Sequence, residues 1–143
     1  MQVDPLSLRD APAAGLVSAL QATRQRTLGL LSAWQQARPD LRVPQRPTLN
    51  PPLWELGHVG WFQEWWIGRN IQRATGARLP SPTSPHARLA SIEPNADRWW
   101  DSSHVPHDTR WTLPLPGADG IRAYLLDTLE TTLELLDKAG DDD

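Results

Sequence analysis

The chain has 143 residues, no cysteine and a net charge of −3; that is the length of one domain, and the missing thiols exclude disulfide frameworks, zinc ribbons and cysteine nucleophiles. No apolar run approaches the roughly 20 residues of a membrane span, and no basic start with an apolar core marks a secretory signal, so the expected setting is the reducing cytoplasm, with no membrane partner. Twelve basic and nine acidic residues lie up to Trp111, and two basic against eight acidic lie beyond it; neither balance is the basic stripe of a nucleic-acid binder.

Residues 1–12, with Pro5 and Pro12, read as a loose start. From Ala13 to Ala37 the apolar positions Leu16, Leu20, Leu30, Leu31 and Trp34 follow the 3.6 period, which predicts an amphipathic helix that Pro39 ends. Pro39, Pro44 and Pro47 mark an extended connector over 39–49. A second helix is expected over 50–72, with Asn50 as N-cap and Pro51 at its first position. Its apolar residues are Trp54, Leu56, Val59, Phe62, Trp66 and Ile67, and Gly57, Gly60 and Gly68 leave room for close approach by a neighbouring helix. Residues 73–117 are proline-rich and without period, and read as a long irregular loop. Trp99, Trp100 and Trp111 argue that this loop is ordered, because buried aromatics tie a segment down. A third helix opens at Gly117 or Asp119, keeps Ile121, Leu125, Leu129, Leu133 and Leu136 in register as far as Lys138, and has Gly140 as its C-cap. The fold class is therefore all-α, with helices over about 13–37, 50–72 and 118–139. Three such helices read as three-quarters of a four-helix bundle.

His58 is the first residue that could carry chemistry. At about 100 degrees per residue, Trp54, Trp61, Phe62, Trp65 and Arg69 fall within about 60 degrees of it on the helical wheel. A histidine centred on an aromatic face is either a core imidazole bonded to a backbone group or a metal ligand in a dry shell. Glu64 lies about 120 degrees away on the same wheel, so the pattern makes it a solvated or helix-pairing carboxylate. The chain contains no HExxH, HxxxH or CxxC, so by itself it supplies no compact metal site. His86, in a Ser/Pro-rich stretch, reads as exposed. The stretch Trp100–Trp111 is dense in hydrogen-bonding groups. It is either a loop held by Asp/Ser turns or a binding loop with Arg110 as a carboxylate or phosphate clamp. Glu130, Glu134 and Asp137 read as a solvated face of the third helix.

The run Asn50-Pro51-Pro52-Leu53-Trp54-Glu55-Leu56-Gly57-His58-Val59-Gly60-Trp61-Phe62-Gln63-Glu64 resembles the first half of the DinB-like helical domain of the non-heme iron sulfoxide synthases of ergothioneine biosynthesis. Arg24, Arg26 and Thr27 resemble the start of that domain's first helix. Asp101, His107, Arg110 and Leu113-Pro114-Leu115 resemble its Asp, Arg, Arg, Leu-Pro-Leu loop, with His107 in place of the first arginine. The resemblance spans most of residues 16–138 and implies a DinB-like bundle with three of its four helices present in residues 1–143. A fourth helix carrying an HxxxH and a formylglycine-generating-enzyme-like domain would follow. It implies Fe(II) held by three histidines, of which His58 is one. Arg110, His107 and Asp101 would shape the donor pocket, and Trp54, Trp61 and Trp65 would form the apolar shell behind the ligand.

His107 speaks against a donor that needs two arginines, and the tryptophan-rich run resembles the selenoneine synthase branch. The substrates implied are hercynine, O2 and a selenosugar or thiol donor. The chemistry implied is formation of a carbon–selenium or carbon–sulfur bond at the hercynine imidazole C2, with the 143-residue chain inactive alone. Two other readings remain open at this point: a DinB-type metal-dependent thiol transferase, and a non-enzymatic helical binding module.

Overall fold

A computed structural model describes residue 4 and residues 6–70 and 88–141. Helix α1 spans Ala13–Ala37, the interval that its periodicity predicts. It stops at Arg38, whose backbone is extended at φ −146 and ψ 85, because the ring of Pro39 disfavours the helical conformation one residue before it. The connector that follows places Leu41 at φ 53, in the left-handed region, with its side chain buried.

Helix α2 spans Pro52–Gln63. Pro52 rather than Pro51 occupies its first position, where a missing N–H costs nothing. Asn50 does not cap the helix: its Nδ2 donates to Glu55 Oε1 at 2.6 Å and its Oδ1 accepts from Arg110. The helical run then widens into a π-turn over Glu64–Gly68, so the expected helix over 50–72 changes character before its end. Residues 71–72 of that expectation, and His86, lie outside the described residues.

The stretch expected to be irregular carries a short helix α3, Ala96–Trp100, and a 3-10 turn, His107–Trp111. Tertiary anchoring, not periodicity, orders both. Helix α4 spans Ala118–Asp141 and runs through Gly140, which therefore does not cap it.

Helix α4 is the centre of the bundle and packs against both α1 and α2. It is antiparallel to α1: Arg122 Nη2 donates to Gln35 Oε1 at one end, and Gly140 meets Ala13 at the other. It is parallel to α2, with Gly60 against Tyr124 and Leu125, and Gly68 against Thr131. The core comprises Leu31, Leu41, Trp54, Trp61, Ala96, Trp100, Ile121, Tyr124 and Leu125. A fully buried tryptophan removes about 150–250 Å² from water, worth roughly 4–6 kcal/mol at about 25 cal/mol per Å²; Trp54 and Trp100 are such residues. Leu30 and Trp34 depart from the amphipathic expectation for α1. They are exposed at 61% and 47%, and they line an apolar cleft of about 250 Å³ with Leu31, Pro52 and Leu56. Glu130, Glu134 and Asp137 are exposed, as their spacing predicts.

Candidate functional site

His58 sits one turn inside α2, half-buried. Gly57 beside it lets the indole of Trp100 lie directly on the helix backbone; a Cβ there would come within 2.0 Å of Trp100 Cε2. This close approach brings the Trp100 carbonyl oxygen to 2.8 Å from His58 Nδ1. A carbonyl oxygen only accepts, so Nδ1 carries the proton and donates. The neutral ring then has its lone pair on Nε2. Trp54 stacks on the imidazole at 5.0 Å between centroids and 9° between planes, Trp61 lies at 5.7 Å, and Phe62 at 6.1 Å. The backbone bond of the first reading of His58 is present, and it leaves Nε2 as the unprotonated nitrogen of the neutral ring.

The aromatic sheath is itself anchored. Trp54 Nε1 donates to Trp99 O at 2.5 Å. Trp61 Nε1 donates to Asp97 Oδ1 at 2.7 Å, and Arg69 grips the same carboxylate with both Nη atoms at 2.7 and 3.0 Å. The Arg69 guanidinium holds the Asp97 carboxyl below the usual carboxylate range; burial opposes this and the Trp61 N–H adds to it. Trp65 packs against Trp61 at 5.2 Å between centroids with the rings tilted by 31°, so it supports His58 through Trp61. Trp61, Phe62, Trp65 and Trp66, with the 101–104 loop, line a cleft of about 260 Å³ beside the imidazole.

Arg110, Asp101 and His107 occupy three different situations. The Arg110 guanidinium lies 3.7 Å from the centroid of the Trp54 ring, the ring that also stacks on His58. Its Nη1 donates to Asn50 Oδ1 at 3.0 Å and its Nη2 to Val105 O at 3.1 Å. Burial lowers its pKa and the charge of Glu55 opposes the shift; an arginine remains protonated regardless. Asp101 is buried, accepts from the Ser103 N–H at 3.0 Å and pairs with His104 Nδ1 at 2.8 Å, so it organises its own turn. His107 Nε2 donates to Leu49 O at 2.6 Å and its ring meets Trp111 edge-on, which ties the loop to the connector. Arg110 therefore joins the aromatic site, while Asp101 and His107 hold the loop that carries it.

Of the two roles that its wheel position suggests, Glu64 takes the helix-pairing one and not the solvated one. It is 3% exposed and its carboxylate accepts from Ser91 Oγ at 2.5 Å, Ile92 N at 2.8 Å and Tyr124 Oη at 2.5 Å. On α4, Tyr124, Thr128 and Thr132 form a buried polar stripe at helical spacing. Thr132 Oγ1 accepts from Gln63 at 2.7 Å, and Gln63 in turn accepts from the buried Arg24. Arg42 also escaped the sequence reading: it lines one cleft of about 530 Å³ together with Arg110.

Among the described residues no three His, Cys, Asp or Glu side chains converge closely enough to hold a metal. His58 can therefore contribute one imidazole ligand, with any further donors coming from elsewhere. Among the described residues no helix is long and apolar enough to cross a membrane.

The chain is similar to hercynine oxygenase of Mycolicibacterium smegmatis, with 28% identity over 128 residues. The match covers 90% of this chain and 26% of the relative, so the chain spans about a quarter of that protein's length. A model of the DinB superfamily matches residues 19–143. With α1 and α2 packed against α4 and that family model matched over most of its length, the chain belongs to the DinB superfamily.

Proposed function

We propose that this chain is the N-terminal portion of an O2-dependent non-heme Fe(II) enzyme that forms a carbon–selenium or carbon–sulfur bond at the imidazole C2 of hercynine. Its likeness to a hercynine oxygenase supports the substrate. The observation that carries the reading is the 2.8 Å bond from His58 Nδ1–H to Trp100 O, which leaves Nε2 free to bind a metal in the arrangement that metal-ligating histidines use. Neutral imidazole is a donor suited to iron, so His58 fits as one ligand of three. The remaining two would come from a fourth helix beyond Asp143, ahead of a formylglycine-generating-enzyme-like domain.

When bound, the iron would supply the activation of O2. The residues of this chain would prepare its surroundings. Trp54 and Trp61 fix the plane of the imidazole and exclude water from its faces; Asp97 and Trp65 hold Trp61 in turn. Arg110, stacked on Trp54, offers a fixed positive charge to an acidic group of the donor. Asp101 and His107 keep the Arg110 loop seated.

The test is an anaerobic Fe(II) titration of the complete polypeptide and of its His58→Ala variant, with helicity checked by circular dichroism. Loss of a ligand is expected to weaken iron binding at least about tenfold. A folded His58→Ala protein with unchanged iron affinity would sink the proposal.

A further inference from the structure

Consecutive residues after α3 orient two imidazoles. Trp100 O accepts from His58 Nδ1 at 2.8 Å, and the next residue, Asp101, meets His104 Nδ1 at 2.8 Å through Oδ2. The second bond has fixed supports. Asp101 is 8% exposed, and its Oδ1 accepts from the Ser103 N–H at 3.0 Å. The turn is closed by His104 N and Val105 N, which donate to Asp101 O at 3.1 and 2.8 Å, and the buried Val105 seats it. A carboxylate only accepts, so His104 Nδ1 carries a proton, and the neutral ring keeps its lone pair on Nε2. The His104 side chain is 81% exposed, so Nε2 is open to a ligand. His104 lines the cleft of about 260 Å³ together with Trp61 and Phe62, and both of these rings also lie against His58. Both Asp101 oxygens are engaged, and among the described residues no third ligand converges there. The pair therefore has the form of a base and its orienting group, not of a metal chelate.

Bond formation at the imidazole C2 of hercynine needs such a base. When a sulfur or selenium atom joins that carbon, the hydrogen already there must leave. The C–H bond breaks, its electron pair returns to the ring and restores aromaticity, and the proton requires an acceptor. We propose that His104 is that acceptor: its Nε2 takes the C2 proton, and Asp101 is the positioning residue that holds the ring in the competent tautomer. The imidazolium formed is stabilised by the Asp101 carboxylate, and its exposed edge returns the proton to water. O2 takes the electrons of the overall oxidation, so the step assigned to His104 moves a proton and no electrons. This assignment rests on the function proposed above, because it takes its substrate from that reading. It gives the two imidazoles different tasks: His58 offers Nε2 to the metal, and His104 offers Nε2 to a proton.

The test uses the complete polypeptide with Fe(II), O2, hercynine and, in separate assays, thioglucose or cysteine as donor. His104→Ala removes an exposed side chain and is expected to keep the wild-type circular dichroism. It is expected to lower kcat about a hundredfold, the worth of a positioned base, and to leave Fe(II) affinity within about twofold of wild type, since no ligand is lost. Hercynine deuterated at C2 is expected to show a primary isotope effect with this variant, because removal of that proton has become slow. Added imidazole is expected to restore the rate in proportion to its concentration and to shrink the isotope effect, which a merely structural role would not produce. Without metal, ¹⁵N NMR is expected to show neutral His104 as the Nδ1–H tautomer in the wild type and to lose that preference in Asp101→Asn. The proposal is overturned if His104→Ala keeps the wild-type kcat, if its loss comes with neither an isotope effect nor rescue, or if its iron affinity falls about tenfold, the mark of a lost ligand. An Nε2–H tautomer in the wild type overturns it as well. A wild type that forms no product with either donor removes the proposed function and this assignment together, whereas an active wild type matched by His104→Ala removes this assignment alone.

Discussion

At His58 the direction of one hydrogen bond determines what the ring can do. Nδ1 donates to Trp100 O, so ¹⁵N NMR of the neutral histidine is expected to show the Nδ1–H tautomer, with Nε2 unprotonated. An Nε2–H pattern would mean that the bond is absent in solution and would remove the basis for metal ligation. The same contact predicts a cost at Gly57. A Cβ there would meet Trp100 Cε2 at 2.0 Å and Nε1 at 2.2 Å, and Trp100 is fully buried with no room to retreat. Gly57→Ala is therefore expected to destabilise the chain by about 3 kcal/mol, the upper end for overpacking, read from the urea midpoint. The aromatic surroundings of His58 were legible in the sequence because a helix converts spacing into direction. The place of Arg42 beside Arg110 in one cleft was not, because the connector that carries it has no period.

Helix α2 and the π-turn after it owe their join to α4. Glu64 opens the π-turn, and its carboxylate is met by Tyr124 from α4 and by Ser91 and Ile92 from the returning segment. A wheel built on uniform helix put Glu64 off the aromatic face correctly and left solvation and helix pairing both open; it could not choose between them, because the partners lie on α4 and the returning segment. The periodic apolar residues of α4 were legible; the buried Tyr124, Thr128 and Thr132 beside them read as ordinary polar helix positions until their partners were in place. Tyr124→Phe leaves Glu64 one donor short and is expected to cost about 2 kcal/mol, as for a hydrogen bond to a charged group. Burial, then the Glu64 hydrogen bond, raises the Tyr124 pKa well above its ordinary value. The unfolded chain ionises its tyrosine near pH 10 while the folded chain keeps its proton, so stability falls as pH rises above about 10. Tyr124→Phe is expected to flatten that alkaline decline in chemical denaturation. An unchanged slope would mean that the phenol is not held neutral by the fold.

Over the whole molecule, the three long helices were legible because each repeats its apolar positions over many turns, while of residues 88–117 only the ordering by tryptophans was legible and not the path, because the path comes from contacts distant in sequence. Trp111 Nε1 donates to Val43 O, His107 to Leu49 O, and Arg69 Nε to Leu89 O. No local pattern announces such bonds. Asp97 is where this irregular segment is fastened to α2 and the π-turn, through Trp61 and the Arg69 fork. That junction makes an acid-dependent prediction. The Arg69 hydrogen bonds depress the folded-state pKa of Asp97, so its contribution is complete above the unfolded carboxyl value of about 3.9 and is lost as pH falls through the lower folded value. The Asp97 side chain is 48% exposed, so solvent screening limits the pair, and Asp97→Asn is expected to cost about 1 kcal/mol at neutral pH. In urea titrations between pH 6 and pH 2.5 the gap between wild type and Asp97→Asn is expected to close below about pH 4, and to narrow at neutral pH in about 1 M salt. A gap that stays constant across both series would mean that Asp97 holds the segment by packing and not by charge, and that the sheath around His58 does not depend on the Arg69 ion pair.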